Sequence, residues 1–476
     1  MNVREVDVVV IGAGTVGENV ADRTMQGGLE TVIVEEELVG GECSYWACMP
    51  SKALLRPGAA LRAARAVAGA AEAVTGGLDA PAVFRRRDRI VHGGSDAAQV
   101  EWLEGAGIEL LRGHARLSGP RRVTVTGADG ARVELRARHA VAVCTGSVPV
   151  LPEVPGLAET EPWTSREATS ASDAPERLAV LGGGVVGCEL ATAYAGLGSR
   201  VTLLARSGLL GGHEPFATEL VQAGLESVGV RVLTGTELAS VHRAERSIVL
   251  TLGDGSRVLS DRVLVATGRV GRTHDLGLET LGLEAGRAIP VDDTLRVPGH
   301  DWLYAVGDVN GRALLTHQGK YQARAAGDAI AARAAGRPVD DAPWGAHVAT
   351  ADHRAVPQVT FTDPELASVG LTTDAAEKAG LRIRVLDYEL SWLAGATVHA
   401  DDYRGRARAV VDLDRGVLVG ATFVGAGVGE LLQAATIAIV GEVPLERLWH
   451  AVPAFPTLSE VWLRWLEEFG RPGAAG

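Results

Sequence analysis

At 476 residues the chain exceeds what one hydrophobic core usually serves, and its length suits about three domains. Its 46% apolar and 22% charged residues describe a folded globular chain, and no uninterrupted apolar stretch is long enough to span a bilayer. A net charge of −13 argues against nucleic acid or anionic membrane as partner, so the run Arg85-Arg86-Arg87 reads as a solvated helix face.

The first strand is predicted to begin near Val6, which leaves no room for a signal peptide. Val6 to Ile11 is an apolar run of the buried parallel type, followed by Gly12-Ala13-Gly14-Thr15-Val16-Gly17 and a helix pattern to about Gln26. A second strand, Thr31 to Val34, ends at Glu35. In a βαβ unit of this kind, Gly12, Gly14 and Gly17 allow a pyrophosphate to approach the helix N-terminus, and the acid binds ribose hydroxyls. The whole unit, with its acid about twenty residues on, is a much stronger sign than the glycines alone.

Next comes Gly40-Gly41-Glu42-Cys43-Ser44-Tyr45-Trp46-Ala47-Cys48-Met49-Pro50-Ser51-Lys52. Two cysteines five apart, just after a dinucleotide fingerprint, have the layout of a redox-active disulfide set against a flavin. On a regular helix their Cα atoms would lie roughly 8 to 9 Å apart, beyond the ~7 Å limit for an unstrained bridge. Closure therefore requires a distorted first turn, and Pro50 suits an irregular helix start. Cys144 and Cys188 fall inside apolar strand or helix patterns, so the expectation is a cytoplasmic protein with one reactive pair and no structural disulfides. Positive charge is almost all arginine; the lysines are Lys52, Lys320 and Lys378, and Lys52 falls one helical turn after Cys48.

A second fingerprint follows at Gly182-Gly183-Gly184-Val185-Val186-Gly187-Cys188-Glu189, after the strand Leu178 to Leu181. Its closing strand, Arg200 to Leu204, ends in Ala205 and Arg206 where an acid is expected. Without a carboxylate to repel it, and with a guanidinium adjacent, a ribose 2′-phosphate is tolerated, which favours NADPH and leaves NADH open. The turns Cys144-Thr145-Gly146-Ser147, Ala266-Thr267-Gly268-Arg269 and Val306-Gly307-Asp308 read as phosphate or flavin contacts. From about Pro357 alternating β patterns replace the fingerprints, as in an α+β domain without a nucleotide site. No metal site is expected.

These pieces together resemble the flavoprotein pyridine nucleotide-disulfide oxidoreductases, the family of dihydrolipoamide dehydrogenase, glutathione reductase and mercuric reductase. The resemblance covers essentially the whole chain, including the C-terminal run Phe455-Pro456-Thr457-Leu458-Ser459-Glu460. It implies an α/β protein with an FAD-binding domain at 1–150 and 271–345, an NAD(P)-binding domain at 151–270 and an α+β dimerisation domain at 346–476. It further implies a homodimer with active sites shared across the interface. Cys43 would be the interchange thiol and Cys48 the charge-transfer thiol, with Gly41 and Lys52 also on the flavin. Lys52 and Glu189 would form the ion pair beside flavin N5, and Glu35 and Asp308 would hold the FAD adenosine ribose and ribitol.

One position departs from that pattern. The family's disulfide reductases usually carry histidine immediately before the Pro-Thr of the last motif, with a glutamate five positions on; here Phe455 stands in that slot and Glu460 remains. Histidine there moves the proton of the interchange thiol, an effect of about 10² to 10⁴ in rate, and phenylalanine cannot. The protons must then come from water, from substrate, or from His450, five residues earlier. The 2-ketopropyl-coenzyme M carboxylase also has phenylalanine for histidine, but histidine at the place of Glu460, and mercuric reductase needs a C-terminal vicinal cysteine pair that is not in this sequence. The sequence thus reads as a cytoplasmic FAD-dependent NAD(P)H oxidoreductase that reduces a disulfide or other small electrophile through Cys43 and Cys48. Carboxylase-like chemistry at Cys43 under proton-poor conditions and a quinone or oxygen diaphorase are the alternatives, and a non-enzymatic redox sensor is the remaining class.

Overall fold

The computed structural model describes residues 2–471; the Gly/Ala-rich end of the sequence, 472–476, lies outside the described residues. The chain forms two compact units, one from residues up to Pro50, Asp88–Val150 and Gly268–His353, the other from Ser51–Arg87, Leu151–Thr267 and the chain from Arg354 onward.

The first unit is built on a seven-stranded sheet. Its spatial order is Glu109–Arg112, Thr31–Glu35, Asn2–Ile11, Arg132–Val143, Arg122–Thr126 and His114–Gly119, with Leu303–Ala305 also pairing Arg132–Val143. Asn2–Ile11 runs parallel to both neighbours, Val8 opposite Thr31 and Val9 opposite Val141. The apolar run of this strand follows from its burial on both faces: Val6, Val9 and Ile11 pack into one cluster with Leu303, while Val8 and Val10 pack on the other side with Val20 and Ala326. The strand starts at Asn2, not near Val6, because the twelve-residue strand Arg132–Val143 continues past the apolar run and pairs Asn2 with Val133 and Val6 with Ala137. Helix Thr15–Gln26 lies close against helix Thr316–Ala334; a Cβ at Gly327 would stand 2.5 Å from Arg23 Cβ.

The second unit holds a parallel four-stranded sheet, Arg231–Thr234, Arg200–Ala205, Arg177–Leu181 and Arg262–Val265, and an antiparallel three-stranded one, Leu238–Ala244, Ser247–Leu252 and Arg257–Ser260. Its C-terminal part is an antiparallel five-stranded sheet in the order Gln358–Thr360, Glu365–Gly370, Val417–Gly425, Arg406–Asp412 and Ile383–Glu389. The alternating patterns read from about Pro357 onward fall in this antiparallel sheet. Helix Ala80–Ile90 corrects the reading of its arginine run. Arg87 is 4% exposed, and its guanidinium donates to the carbonyls of Thr169 and Ala171, the latter at 2.8 Å. Two open carbonyls flanking the end of helix Ser165–Ser170 are what draw this arginine inward.

Candidate active site

In the first unit, the turn between Ile11 and Thr15 is fixed by close backbone approach. Gly12 has φ +97°, and a Cβ there would stand 2.6 Å from the Cys144 carbonyl oxygen; a Cβ at Gly17 would stand 1.9 Å from that of Gly12. Gly14, at the N-cap of helix Thr15–Gln26, faces open space. Glu35 closes the following strand, and its carboxylate accepts the N–H groups of Ala13 at 2.7 Å and Glu37 at 2.8 Å. Burial pushes this carboxyl up, against those two hydrogen bonds. Gly41, with φ +57°, comes so near the turn that a Cβ would stand 2.9 Å from Gly14 Cα.

Around Asp308 the structure links residues from the two Thr-Gly turns. The Ser147 hydroxyl donates to Asp308 Oδ2 at 2.6 Å, and Arg269 Nε donates to Ser147 Oγ at 2.8 Å. Burial raises the Asp308 carboxyl, while Ser147 and the Arg269 charge oppose it. Thr145 donates to the Arg272 carbonyl at 2.8 Å, and Gly146 takes φ +70°. Gly268, with φ +132°, accepts the Val150 N–H through its carbonyl at 3.0 Å.

Cys43 and Cys48 are both free thiols, placed on different helices: Cys43 in the short helix Gly41–Tyr45, Cys48 at the start of Cys48–Arg65. The distortion expected at Pro50 is a break at Trp46, whose φ of −133° and ψ of −2° end the first helix. Pro50 sits in the first turn of the second, where a missing N–H leaves nothing unpaired. A hydrogen bond to Cys48 and then burial push the Cys43 thiol up, while Thr316 and the charge of Lys320 lower it. The Thr316 hydroxyl lies 3.3 Å from Cys48 Sγ. Buried Cys144 and Cys188 stay protonated; burial pushes Cys188 up to about 12.

The second unit repeats the turn geometry. A Cβ at Gly182 would stand 2.3 Å from the Ala266 carbonyl oxygen and one at Gly187 2.0 Å from that of Gly182, while Gly184 again faces open space. Strand Arg200–Ala205 ends in buried Ala205, followed by exposed Arg206, whose guanidinium makes no hydrogen bond or ion pair among the described residues. Lys52 Nζ donates to Glu189 Oε2 at 2.6 Å, and the Phe361 N–H donates to Glu189 Oε1 at 3.0 Å. The Lys52 ammonium also lies 5.0 Å from the centroid of the Phe361 ring, so buried Glu189 and a ring face hold this lysine together. Phe361 carried no sequence signal, since nothing in its strand pattern marks the contact.

Phe455 is 75% exposed. Glu460 is buried, its Oε2 without a hydrogen-bond partner and its Oε1 3.8 Å from Arg464 Nη2. His450 is exposed, and its ring makes no hydrogen bond or ion pair among the described residues. Those residues also contain no cluster of metal-ligating side chains and no helix long and apolar enough to cross a membrane.

The first unit fits an adenine dinucleotide: its helix N-terminus opens at Gly14 onto space that no side chain fills, beside a carboxylate at the end of the next strand. Comparison with known proteins decides the wider question. Residues 6–329 match the model of the pyridine nucleotide-disulphide oxidoreductases, and residues 356–465 match that family's dimerisation domain. The chain belongs to this family. It is 34% identical over 464 residues to a mercuric reductase of Acidithiobacillus ferrooxidans, covering 96% of this chain and 81% of that protein. A dihydrolipoyl dehydrogenase of Chlamydia pneumoniae is 31% identical over 470 residues, with 96% of each chain covered. Among solved structures, the HOCl-induced flavoprotein disulfide reductase RclA of Escherichia coli shares the fold with a TM-score of 0.84 at 22% identity, covering 98% of this chain and 100% of that one. LpdA of Mycobacterium tuberculosis matches with a TM-score of 0.83 at 25% identity, again covering 98% and 100%. Members of the family are oxidoreductases that use FAD and a nicotinamide nucleotide, and the dimerisation domain indicates a homodimer.

Proposed function

We propose that this oxidoreductase takes electrons from NADPH and delivers them through Cys43 and Cys48 to a disulfide or other small electrophile. The observation that carries the reading is the pair of thiols within hydrogen-bond reach of each other, on two helices broken at Trp46, with Thr316 against Cys48. Bound FAD supplies the passage of an electron pair from the nicotinamide to the cysteine pair. Gly12, Gly14 and Gly17 would receive its pyrophosphate, Glu35 its adenosine ribose and Asp308 its ribitol, with Thr145, Gly146 and Gly41 beside them. Gly182, Gly184, Gly187 and Gly268 would serve the nicotinamide nucleotide, and Arg206 its 2′-phosphate. Lys52, fixed by Glu189, supplies positive charge for the flavin ring.

In chemical balance, NADPH and one proton reduce the Cys43–Cys48 disulfide to two thiols, releasing NADP⁺. Cys43, as thiolate, then attacks one sulfur of the acceptor and expels the other; Cys48 attacks the mixed disulfide, restoring the bridge and leaving a reduced dithiol acceptor. Phe455 offers no proton for the leaving thiolate. That absence favours a second reading, in which Cys43 serves an acceptor whose chemistry is spoiled by protons; a quinone or oxygen acceptor needs two protons but can take them from solvent, with no donor at position 455.

Anaerobic titration of the purified flavoprotein with NADPH tests the core of this reading. Two-electron reduction should give a long-wavelength thiolate-to-flavin charge-transfer band, absent in Cys48→Ser; an unchanged band in that variant removes the pair from the mechanism. An acceptor screen with glutathione disulfide, lipoamide, a quinone and mercuric ion then identifies the substrate class. Arg206→Glu should raise KM for NADPH most. A wild-type preference for NADH of roughly tenfold in kcat/KM, about 1.4 kcal/mol, would refute the nucleotide assignment.

A further inference from the structure

A buried carboxylate in the first unit is joined to the Asp308 turn through a single side-chain amide. The Asp352 side chain is fully buried, and its oxygens accept from two glutamines that are neighbours on helix Thr316–Ala334: Oδ1 takes Gln318 Nε2 at 2.8 Å and Oδ2 takes Gln322 Nε2 at 2.9 Å. Gln322 is itself fully buried, and its Oε1 accepts both the Gly307 N–H and Asn310 Nδ2 at 2.8 Å. Gly307 immediately precedes Asp308. A chain of two hydrogen bonds thus runs from Asp352 to the backbone of the turn that carries Asp308.

Donors and acceptors fix the direction of each bond. A backbone N–H can only donate, so the Gln322 atom facing Gly307 is its oxygen, and the NH2 group must face Asp352. The Arg312 N–H likewise takes Asn310 Oδ1 at 3.0 Å, which turns Asn310 Nδ2 toward Gln322 and toward the Ala305 carbonyl, the latter at 3.1 Å. Arg312 Nη1, 3.8 Å from Asp352 Oδ2, is a further donor. The turn is also closely packed: a Cβ at Gly307 would stand 3.1 Å from Val16 Cγ2, and one at Gly319 2.5 Å from the same atom. Val16 lies in the first turn of the helix that opens at Gly14.

We propose that Asp352 is a positioning residue for the FAD site: by holding the Gln322 amide with its oxygen toward Gly307, it sets the turn from which Asp308 meets the ribitol. The inference rests on the reading of Asp308 as the ribitol partner. With a side chain at 352 that cannot accept, Gln322 Nε2 becomes a buried donor without a partner. Rotating the amide to relieve it would set the NH2 group against the Gly307 N–H and Asn310 Nδ2, so in either state the penalty falls on this turn. What position 352 must supply is an acceptor. Asparagine keeps one oxygen for Gln322, and the two donors on the far side of that amide hold it in the native orientation.

The test is the dissociation constant of FAD, measured as flavin fluorescence released on diluting the holoprotein. Asp352→Leu, close in size but unable to accept, should weaken FAD roughly tenfold, the effect of one buried donor left unpaired. Asp352→Asn should stay within about threefold of the wild type. Gln322→Leu should weaken FAD by a similar factor, and Asp352→Leu should then add less than about twofold in that background, because both changes break the same chain of bonds. A merely structural role for Asp352 gives neither the rescue by asparagine nor this loss of additivity. Wild-type FAD affinity in Asp352→Leu, an Asp352→Asn as weak as Asp352→Leu, or equal factors in the two backgrounds overturns the proposal. If Asp352→Leu does not fold, Gln322→Leu decides: unchanged FAD affinity overturns the proposal, and a tenfold loss supports it. Asp308→Ala separates the two readings. If it binds FAD as the wild type does, the ribitol assignment fails and this inference with it; if it weakens FAD while Asp352→Leu does not, this inference alone fails.

Discussion

A buried carboxylate oxygen without a partner is costly, by about 1 to 3 kcal/mol or more when charged, and Glu460 Oε2 is such an atom. Five residues before it stands Phe455, a ring that can neither donate to that oxygen nor carry a proton. If Phe455 keeps protons from the interchange thiol, Phe455→His gives Glu460 an imidazole to orient. Reduction of glutathione disulfide or lipoamide should then rise by roughly one to two orders of magnitude, short of the full range because the surrounding shell was not shaped for histidine. Flavin reduction by NADPH, followed by stopped flow, should stay unchanged. Strong disulfide reduction by the wild type that is lost in His450→Ala would instead make His450 the base. At this scale the sequence was legible where chemistry is local: the break in the helix between the two cysteines and the place of Glu35 at the end of its strand follow from spacing. Thr316 against Cys48 and the Phe361 contact with Lys52 were not, because each acts across hundreds of residues of chain and neither belongs to a short motif.

The two glycine turns are built alike, and their elements show why three glycines recur. At Gly17 and Gly187 a Cβ would stand 1.9 and 2.0 Å from the carbonyl of the glycine that opens its own turn, so the helix can start there only without a side chain. Gly187→Ala should therefore displace the start of helix Val185–Gly196, weakening NADPH binding at least tenfold in equilibrium titration while the FAD content of the purified protein is unchanged. Full loss of FAD would mean that the damage had spread through the protein, and unaltered NADPH affinity would take the second turn out of nucleotide binding. Sequence pattern reached the strands on both sides of these turns because their apolar runs are set by burial on two faces. It placed the first strand boundary too late, since Asn2, Arg4 and Glu5 are polar, Val3 is exposed, and the pairing that makes them strand is with the distant Arg132–Val143. The inward turn of Arg87 escaped it for a related reason: charge alone does not reveal which helix carbonyls remain open.

At the scale of the whole molecule, one helix of the C-terminal part is apolar on too many sides for a monomer. Helix Leu432–Val440 packs Leu432, Ala435, Ala438 and Ile439 into the core, yet Ile437 is 58% and Val440 38% exposed. Gln433 shares that outer face, yet two apolar side chains left open on it call for a cover. Val452 and Phe455, in the same matched dimerisation domain, are 85% and 75% exposed, and Trp392 is 70% exposed. Because each copy carries a charge of −13, long-range electrostatics oppose association, and apolar burial is the force left to drive it. Ile437→Asp places a carboxylate on that face, where two symmetry-related copies would also repel each other. Light scattering at micromolar concentration should find the wild type as a dimer and this variant largely as a monomer, with an unchanged fold by circular dichroism. If the active site is shared between copies, acceptor turnover should fall with dimer content while NADPH still reduces the flavin in the monomer. A dimer of undiminished stability in Ile437→Asp would move the interface off this helix, and a monomer with full turnover would show that each copy carries a complete site.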